Sequence, residues 1–217
     1  MPDILRRPDP VIYLFDPLCG WCYGAAPMIA RLRDAGLPVE PVPTGLFSGD
    51  GARPMDAGFA AYAWSNDQRI ARLTGQIFSD TYRRRVLEAP GGLFDSGPAT
   101  LALTAVSLVA PGHELGALNA VQQARYVDGL DITALASLEA IVRSTGFAAA
   151  ADRIAAPDRE LLAANRARIT LGRQWLARFD AQGVPALVVQ GRDGARLLPS
   201  AALFGSFDNL LSHLQAA

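Results

Sequence analysis

Val11-Ile12-Tyr13-Leu14-Phe15-Asp16-Pro17-Leu18-Cys19-Gly20-Trp21-Cys22-Tyr23-Gly24 is the stretch on which the reading of this chain turns. Its first five residues form a continuous apolar run of buried-strand type. Its second half opens a helical pattern, with Trp21, Ala25, Met28, Leu32 and Ala35 at spacings of four and three, stopped by Gly36 and Pro38. Pro27 sits inside that helix and removes an N–H that would bond back to Tyr23, which predicts a kink. Cys19 and Cys22 are the only two cysteines of the chain. Side chains three apart in a helix lie about 5–6 Å apart at Cβ, and a disulfide needs roughly 3.5–4.5 Å. A small adjustment at a helix start therefore closes or reopens the bond. The free N–H groups and positive dipole end of that helix start both favour thiolate, the reactive form. The pair reads as a dithiol that cycles.

Blander readings carry less. As a permanent crosslink so short a loop contributes under about 2 kcal/mol, and a chain of 217 residues buries a core without staples. Zinc requires two further ligands, yet His113 and His213 stand alone, so no metal is predicted. Two cysteines merely packed among apolar neighbours would not call for this spacing beside a strand–helix unit.

Composition narrows the remaining classes. Half the residues are hydrophobic and the net charge is −1, as in an ordinary globular protein. No basic excess points to nucleic acid. All 20 basic residues are arginine, which excludes Schiff-base chemistry on lysine. Residues 1–10 hold Arg6, Arg7 and three prolines but no signal-peptide-like apolar stretch, and no run is long enough to span a membrane. A cytosolic location is expected, where reducing conditions favour a working dithiol over a permanent bridge.

Outside the motif the chain reads in three parts. Residues 1–48 continue as a strand over Val39–Pro43, with prolines at 38, 41 and 43 marking an edge. Residues 49–157 carry helical signals and almost no strand pattern. Ser65-Asn66-Asp67-Gln68 resembles a capping box, Ser96-Gly97-Pro98 opens a helix facing inward through Leu101, Ala105 and Leu108, and Leu118, Val121, Ala124 and Tyr126 mark a third. Asp131 or Thr133 caps a fourth that ends at Gly146. Arg83-Arg84-Arg85 is a solvated helix face. Residues 158–217 return to mixed structure: a helix from Asp158 through Leu162, Asn165, Ile169, Leu176 and Phe179, a strand over 184–189, an Asp193-Gly194 turn, a returning strand at Leu197-Leu198, and a final helix capped by Ser200. The order implies one α/β sheet domain interrupted by a helical one.

Phe15 to Gly24, with Asp95-Ser96 and Gly183-Val184-Pro185, resembles the DsbA-like branch of the thioredoxin superfamily, specifically its cytosolic FrnE-like group of protein-disulfide isomerases. The resemblance covers nearly the whole chain. It implies a thioredoxin fold, a central mixed sheet flanked by helices, with an all-helical insertion. It also implies a cis peptide at Pro185 facing the sulfurs, with the Val184 backbone contacting substrate; Trp21, beside the sulfurs, reads either as an apolar substrate contact or as a packing residue. Catalysis would rest on Cys19 as the attacking thiolate and Cys22 as the resolving thiol. Asp16 is a candidate tuning group, with a local turn bond as the simpler role. Gly-Trp stands between the cysteines where the oxidising periplasmic proteins have Pro-His, and the nearest basic residues in sequence are Arg31 and Arg33. Activation would then rest mainly on the helix N-terminus, with a reductase or isomerase bias. The expected partners are protein or peptide thiols and disulfides. No cofactor is implied beyond glutathione or a thioredoxin-type system as electron partner, and the oligomeric state is left open. Two other functions fit the same residues: a glutathione-dependent isomerase or transferase of small molecules, and a non-catalytic redox-sensing module.

Overall fold

The computed structural model describes residues 9–191 and 194–215. Strand β1 (Val11–Phe15) is buried along its whole length. It pairs in parallel with β2 (Val39–Pro43), Val11 opposite Val39 and Phe15 opposite Pro43. The proline-rich β2 lies at the sheet edge, where missing N–H donors cost no ladder bonds. Strand β5 (Ala186–Gly191) runs antiparallel to β1, and β6 (Gly194–Leu197) returns beside β5. Gly191 pairs with Gly194; Arg192 and Asp193, and with Asp193 the expected Asp-Gly turn, lie outside the described residues.

Alternation along β1 divides two cores. Val11, Tyr13 and Phe15 face α1 (Gly20–Asp34) and the helices of the middle segment. Ile12 and Leu14, with Val42, Ala186 and Val188, face Trp175, Leu176 and Phe179 of the long helix and its C-terminal cap. This central mixed sheet with helices on both faces is the thioredoxin fold.

The middle segment holds α2 (Ala57–Thr74), α3 (Asp80–Tyr82, running into a π-helical turn over Arg83–Leu87), α4 (Gly97–Val109), α5 (Glu114–Tyr126), α6 (Leu135–Ser144) and α7 (Ala148–Ala155). Several sequence expectations shift here. Ser65-Asn66-Asp67-Gln68 lies inside α2, whose cap is Asp56, accepting from Phe59 N–H at 2.8 Å. Neither Asp131 nor Thr133 caps α6, because Asp131 spends its carboxylate on Thr133. Leu108 is exposed, whereas residues 99–106 are buried on every side of α4. The alanine-rich run is helix α7. A two-residue strand pair, β3 (Arg53–Pro54) with β4 (Leu93–Phe94), is too short to leave a periodic signal.

The long helix α8 (Arg159–Arg178) begins as read, with Asp158 accepting from Leu161 N–H at 2.7 Å. It ends at Arg178, and its buried positions are Leu161 and Gly172, while Leu162 is exposed. Gly172 is there because α8 crosses backbone: an added Cβ would stand 2.3 Å from the Pro43 carbonyl oxygen. The last expected helix is two pieces, a 3-10 turn over Ser200–Phe204 and α9 (Phe207–Gln215). Ser206, accepting from Asn209 N–H, takes the capping role expected of Ser200. Among the described residues no helix is long and apolar enough to cross a membrane.

Candidate functional site

Cys19 is the N-cap of α1. Its Sγ accepts the Cys22 N–H at 3.4 Å, a bond made to one of the helix's free donors. The same thiol donates to the Val184 carbonyl at 3.4 Å, across 165 residues of sequence. The Val184–Pro185 peptide is cis, and the β1–β5 ladder begins only at Ala186. Val184 thus lies beside the motif and outside the ladder.

The two sulfurs occupy different surroundings. Both side chains are buried and unbridged, and Cys19 meets open space only at one wall of a cavity. That cavity, about 220 Å³, is lined by Cys19, Trp21, Asp67 and an aromatic group including Phe59, Tyr82 and Tyr126. Cys22 is wholly enclosed, one turn in. Burial pushes its thiol well above the ordinary range; the hydrogen bond and charge of Cys19 and the charge of Asp16 push the same way, and a bond from Asp16 backbone opposes them. Tyr13 reaches up from β1 to donate to the Cys22 carbonyl at 3.3 Å.

Asp16 is fully buried beneath the motif. Its carboxylate accepts from Leu18 N–H at 2.9 Å, Phe47 N–H at 3.1 Å and Ser96 Oγ at 2.7 Å. This is the local turn role, extended to two distant segments. Burial pushes its carboxyl up, and these donors pull it back. Ser96, at the start of α4, makes no cap bond because its hydroxyl is committed to Asp16.

Trp21 is half-buried and separates two openings. One is the cavity above; the other is a groove of about 730 Å³ lined by Val184, Pro185, Gln182, Ser200, Phe204 and Arg69. Phe204 packs edge-on against Trp21 at 5.1 Å, and the Arg69 guanidinium lies 5.6 Å from its ring. Pro27 leaves the Tyr23 carbonyl without its helical donor, and Gln76 Nε2 supplies one at 2.8 Å.

No family model matches the chain, and no curated protein does. Solved structures do. The cytosolic disulfide reductase DsbM from Pseudomonas aeruginosa is 30% identical, with 95% of this chain and 99% of that one covered at a TM-score of 0.82. This chain belongs to the DsbA-like thiol–disulfide oxidoreductases. The same DsbM with glutathione superposes at 31% identity and a TM-score of 0.78, covering 95% and 97% of the two chains. A candidate protein disulfide isomerase from Nitrosomonas europaea follows at 26% identity and 0.77, covering 96% and 97%.

In this DsbA-like protein the middle segment contributes groups that sequence spacing does not reveal. Tyr126 donates to the Leu18 carbonyl at 2.7 Å and stacks on Tyr23 at 4.8 Å. Tyr82 donates to Asp67 at 3.0 Å. Arg125 is fully buried with its guanidinium over the rings of Tyr82, Phe94 and Tyr126 at 5.5–5.7 Å. Arg69, rather than Arg31 or Arg33, is the cation drawn to Trp21. In the sequence Asp67 stands out only as part of a helix cap and Tyr126 only on a helix face; the packing of α2, α3 and α5 over the start of α1 brings the group together.

Proposed function

We propose that this protein reduces or isomerises disulfides of proteins and peptides through Cys19 and Cys22. The observation that carries the reading is the placement of Cys19 Sγ between a helix N–H and the carbonyl preceding Pro185, each at 3.4 Å, on the wall of an open cavity. The Cys19 thiolate attacks a substrate disulfide; one substrate sulfur joins Cys19 and the other leaves as a thiol. Cys22 then loses its proton and attacks the Cys19 sulfur, releasing the second substrate thiol and leaving a Cys19–Cys22 disulfide. Val184 offers the substrate chain its unladdered backbone, and Trp21 and Pro185 supply apolar contact. Residues 49–157 act as a helical insertion that covers the dithiol.

Glutathione serves as the reducing partner, which the glutathione-bound relative supports. A cytosolic location and a reductase bias follow the relative named a cytosolic disulfide reductase. The test is Cys22→Ser. Exchange predicts a stable Cys19 mixed disulfide with glutathione, detectable as an intact-mass adduct, and loss of turnover with a protein disulfide such as insulin. A glutathione-dependent isomerase or transferase would instead keep its activity in this variant, and that result would displace the exchange reading.

A further inference from the structure

We propose that Asp67 is the general acid of the first exchange step, protonating the sulfur displaced when Cys19 attacks a substrate disulfide. The inference rests on the exchange reading and adds a residue to it. Three observations support it. Asp67 and Cys19 line the same 220 Å³ cavity, so a disulfide seated on Cys19 brings its second sulfur close to the carboxyl. The carboxyl also lies against the motif itself: a Cβ on Gly20 would stand 2.6 Å from Asp67 Oδ1. The Gly of Cys-Gly-Trp-Cys is thus the residue that leaves room for Asp67. Finally, one carboxyl oxygen is held by Tyr82 Oη at 3.0 Å, which orients the group while the other faces the motif.

The charges around Asp67 suit proton donation. Burial pushes its carboxyl up to about 7, while the Tyr82 bond and the Arg125 charge pull it down. Near neutral pH the group therefore holds a transferable proton. Facing it are the Tyr82 hydroxyl from α3, Arg125 and Tyr126 from α5, and the Cys19 thiol at the head of α1. The Arg125 guanidinium is enclosed, and none of its nitrogens has a hydrogen-bond partner among the described residues. A buried cation that meets aromatic faces but no hydrogen-bond acceptor is costly. Once Asp67 gives up its proton, the carboxylate compensates that charge. In the balanced step, the Cys19 thiolate supplies an electron pair, a Cys19–substrate S–S bond forms and the substrate S–S bond breaks. The departing sulfur takes the Asp67 proton. Cys19 sulfur is oxidised and the departing sulfur reduced; Asp67 regains a proton from solvent.

General acid assistance matters for a basic leaving thiolate and little for a weakly basic one. The experiment is stopped-flow oxidation of the reduced protein by two disulfides. Glutathione disulfide expels an ordinary alkyl thiolate, and 5,5′-dithiobis(2-nitrobenzoate) expels a weakly basic aromatic thiolate. Asp67→Asn should slow the first by about 10²-fold and leave the second unchanged. In the wild type the ratio of the two rates should fall as pH rises through about 7, and in Asp67→Asn it should be flat. Tyr82→Phe removes a bond that holds the carboxyl down, so it should move that fall to higher pH. Equal slowing of both disulfides in Asp67→Asn, slowing of neither, or an unmoved Tyr82→Phe profile would overturn the assignment. A wild-type protein that reduces neither disulfide, no better than Cys19→Ser, would defeat the exchange reading itself and Asp67's role with it.

Discussion

Resolution by Cys22 should be limited by its protonation across the physiological range. The perturbation is pH, applied to the preformed Cys19–glutathione mixed disulfide. In that state Cys19 carries no thiolate charge, so its push on Cys22 disappears. Burial, the largest cause, and the Asp16 charge remain. A thiol at the ordinary value of about 8.5 is ~3% thiolate at pH 7, and each further unit lowers that tenfold. With Cys22 fully buried and its thiol pushed up by that burial, the attacking thiolate is scarcer still. Release of glutathione, followed by quenched-flow or by Trp21 fluorescence, should therefore keep accelerating about tenfold per pH unit past the ordinary thiol value of about 8.5. Formation of the mixed disulfide from glutathione disulfide should show the opposite contribution from Asp67, which loses its proton through about 7. The two steps are thus separable by pH. A resolution rate that levels off below about pH 8.5 would show Cys22 to be an ordinary thiol and would refute the argument from burial.

Other consequences concern stability. Asp16→Ala leaves Leu18 N–H, Phe47 N–H and Ser96 Oγ without their acceptor. At about 1–3 kcal/mol per stranded buried group, urea titration should show a loss of ~3 kcal/mol or more; a near-neutral result would mean the three groups find other partners. Gly172→Ala drives a methyl into the Pro43 backbone and should cost about 1–3 kcal/mol, lowering Tm by ~2–4 °C per kcal/mol. Arg168 holds both Glu114 oxygens at 2.6 Å and also donates to the Pro41 carbonyl at 3.0 Å, tying α5 and β2 to α8. Burial nonetheless pushes Glu114 up to about 7. A folded value above the unfolded one of about 4.3 means this carboxyl's share of stability is full below ~4.3 and is lost as pH rises through about 7. Arg168→Met, which leaves the carboxylate alone, should therefore cost about 3–5 kcal/mol at pH 8 and less at pH 5; equal losses at both would contradict it.

Much of this molecule is local in origin. Val11–Phe15 declares a buried strand by continuous apolarity, and Val39–Pro43 an edge strand by its prolines. Cys19-Gly20-Trp21-Cys22 announces a pair of neighbouring thiols at a helix start within four residues, because i and i+3 proximity and the helix dipole are properties of a single turn. Asp158 marks its helix because capping, too, spans three residues. What the sequence could not supply are contacts between segments with no fixed spacing. Whether Ser65 or Asp56 starts α2 depends on which competing cap the loop geometry admits. Ser96 reads as the opening of a helix, but that its hydroxyl goes to Asp16, 80 residues away, is invisible in the sequence. The Cys19–Val184 bond, the Arg69–Trp21 contact and the Asp67–Tyr82–Arg125 group exist only once α2, α3 and α5 are laid over α1. Sequence by itself set two thiols one turn apart at a helix start; tertiary packing decided which carboxyl, ring and cation surround them, since burial and charge are set by neighbours in space and not along the chain.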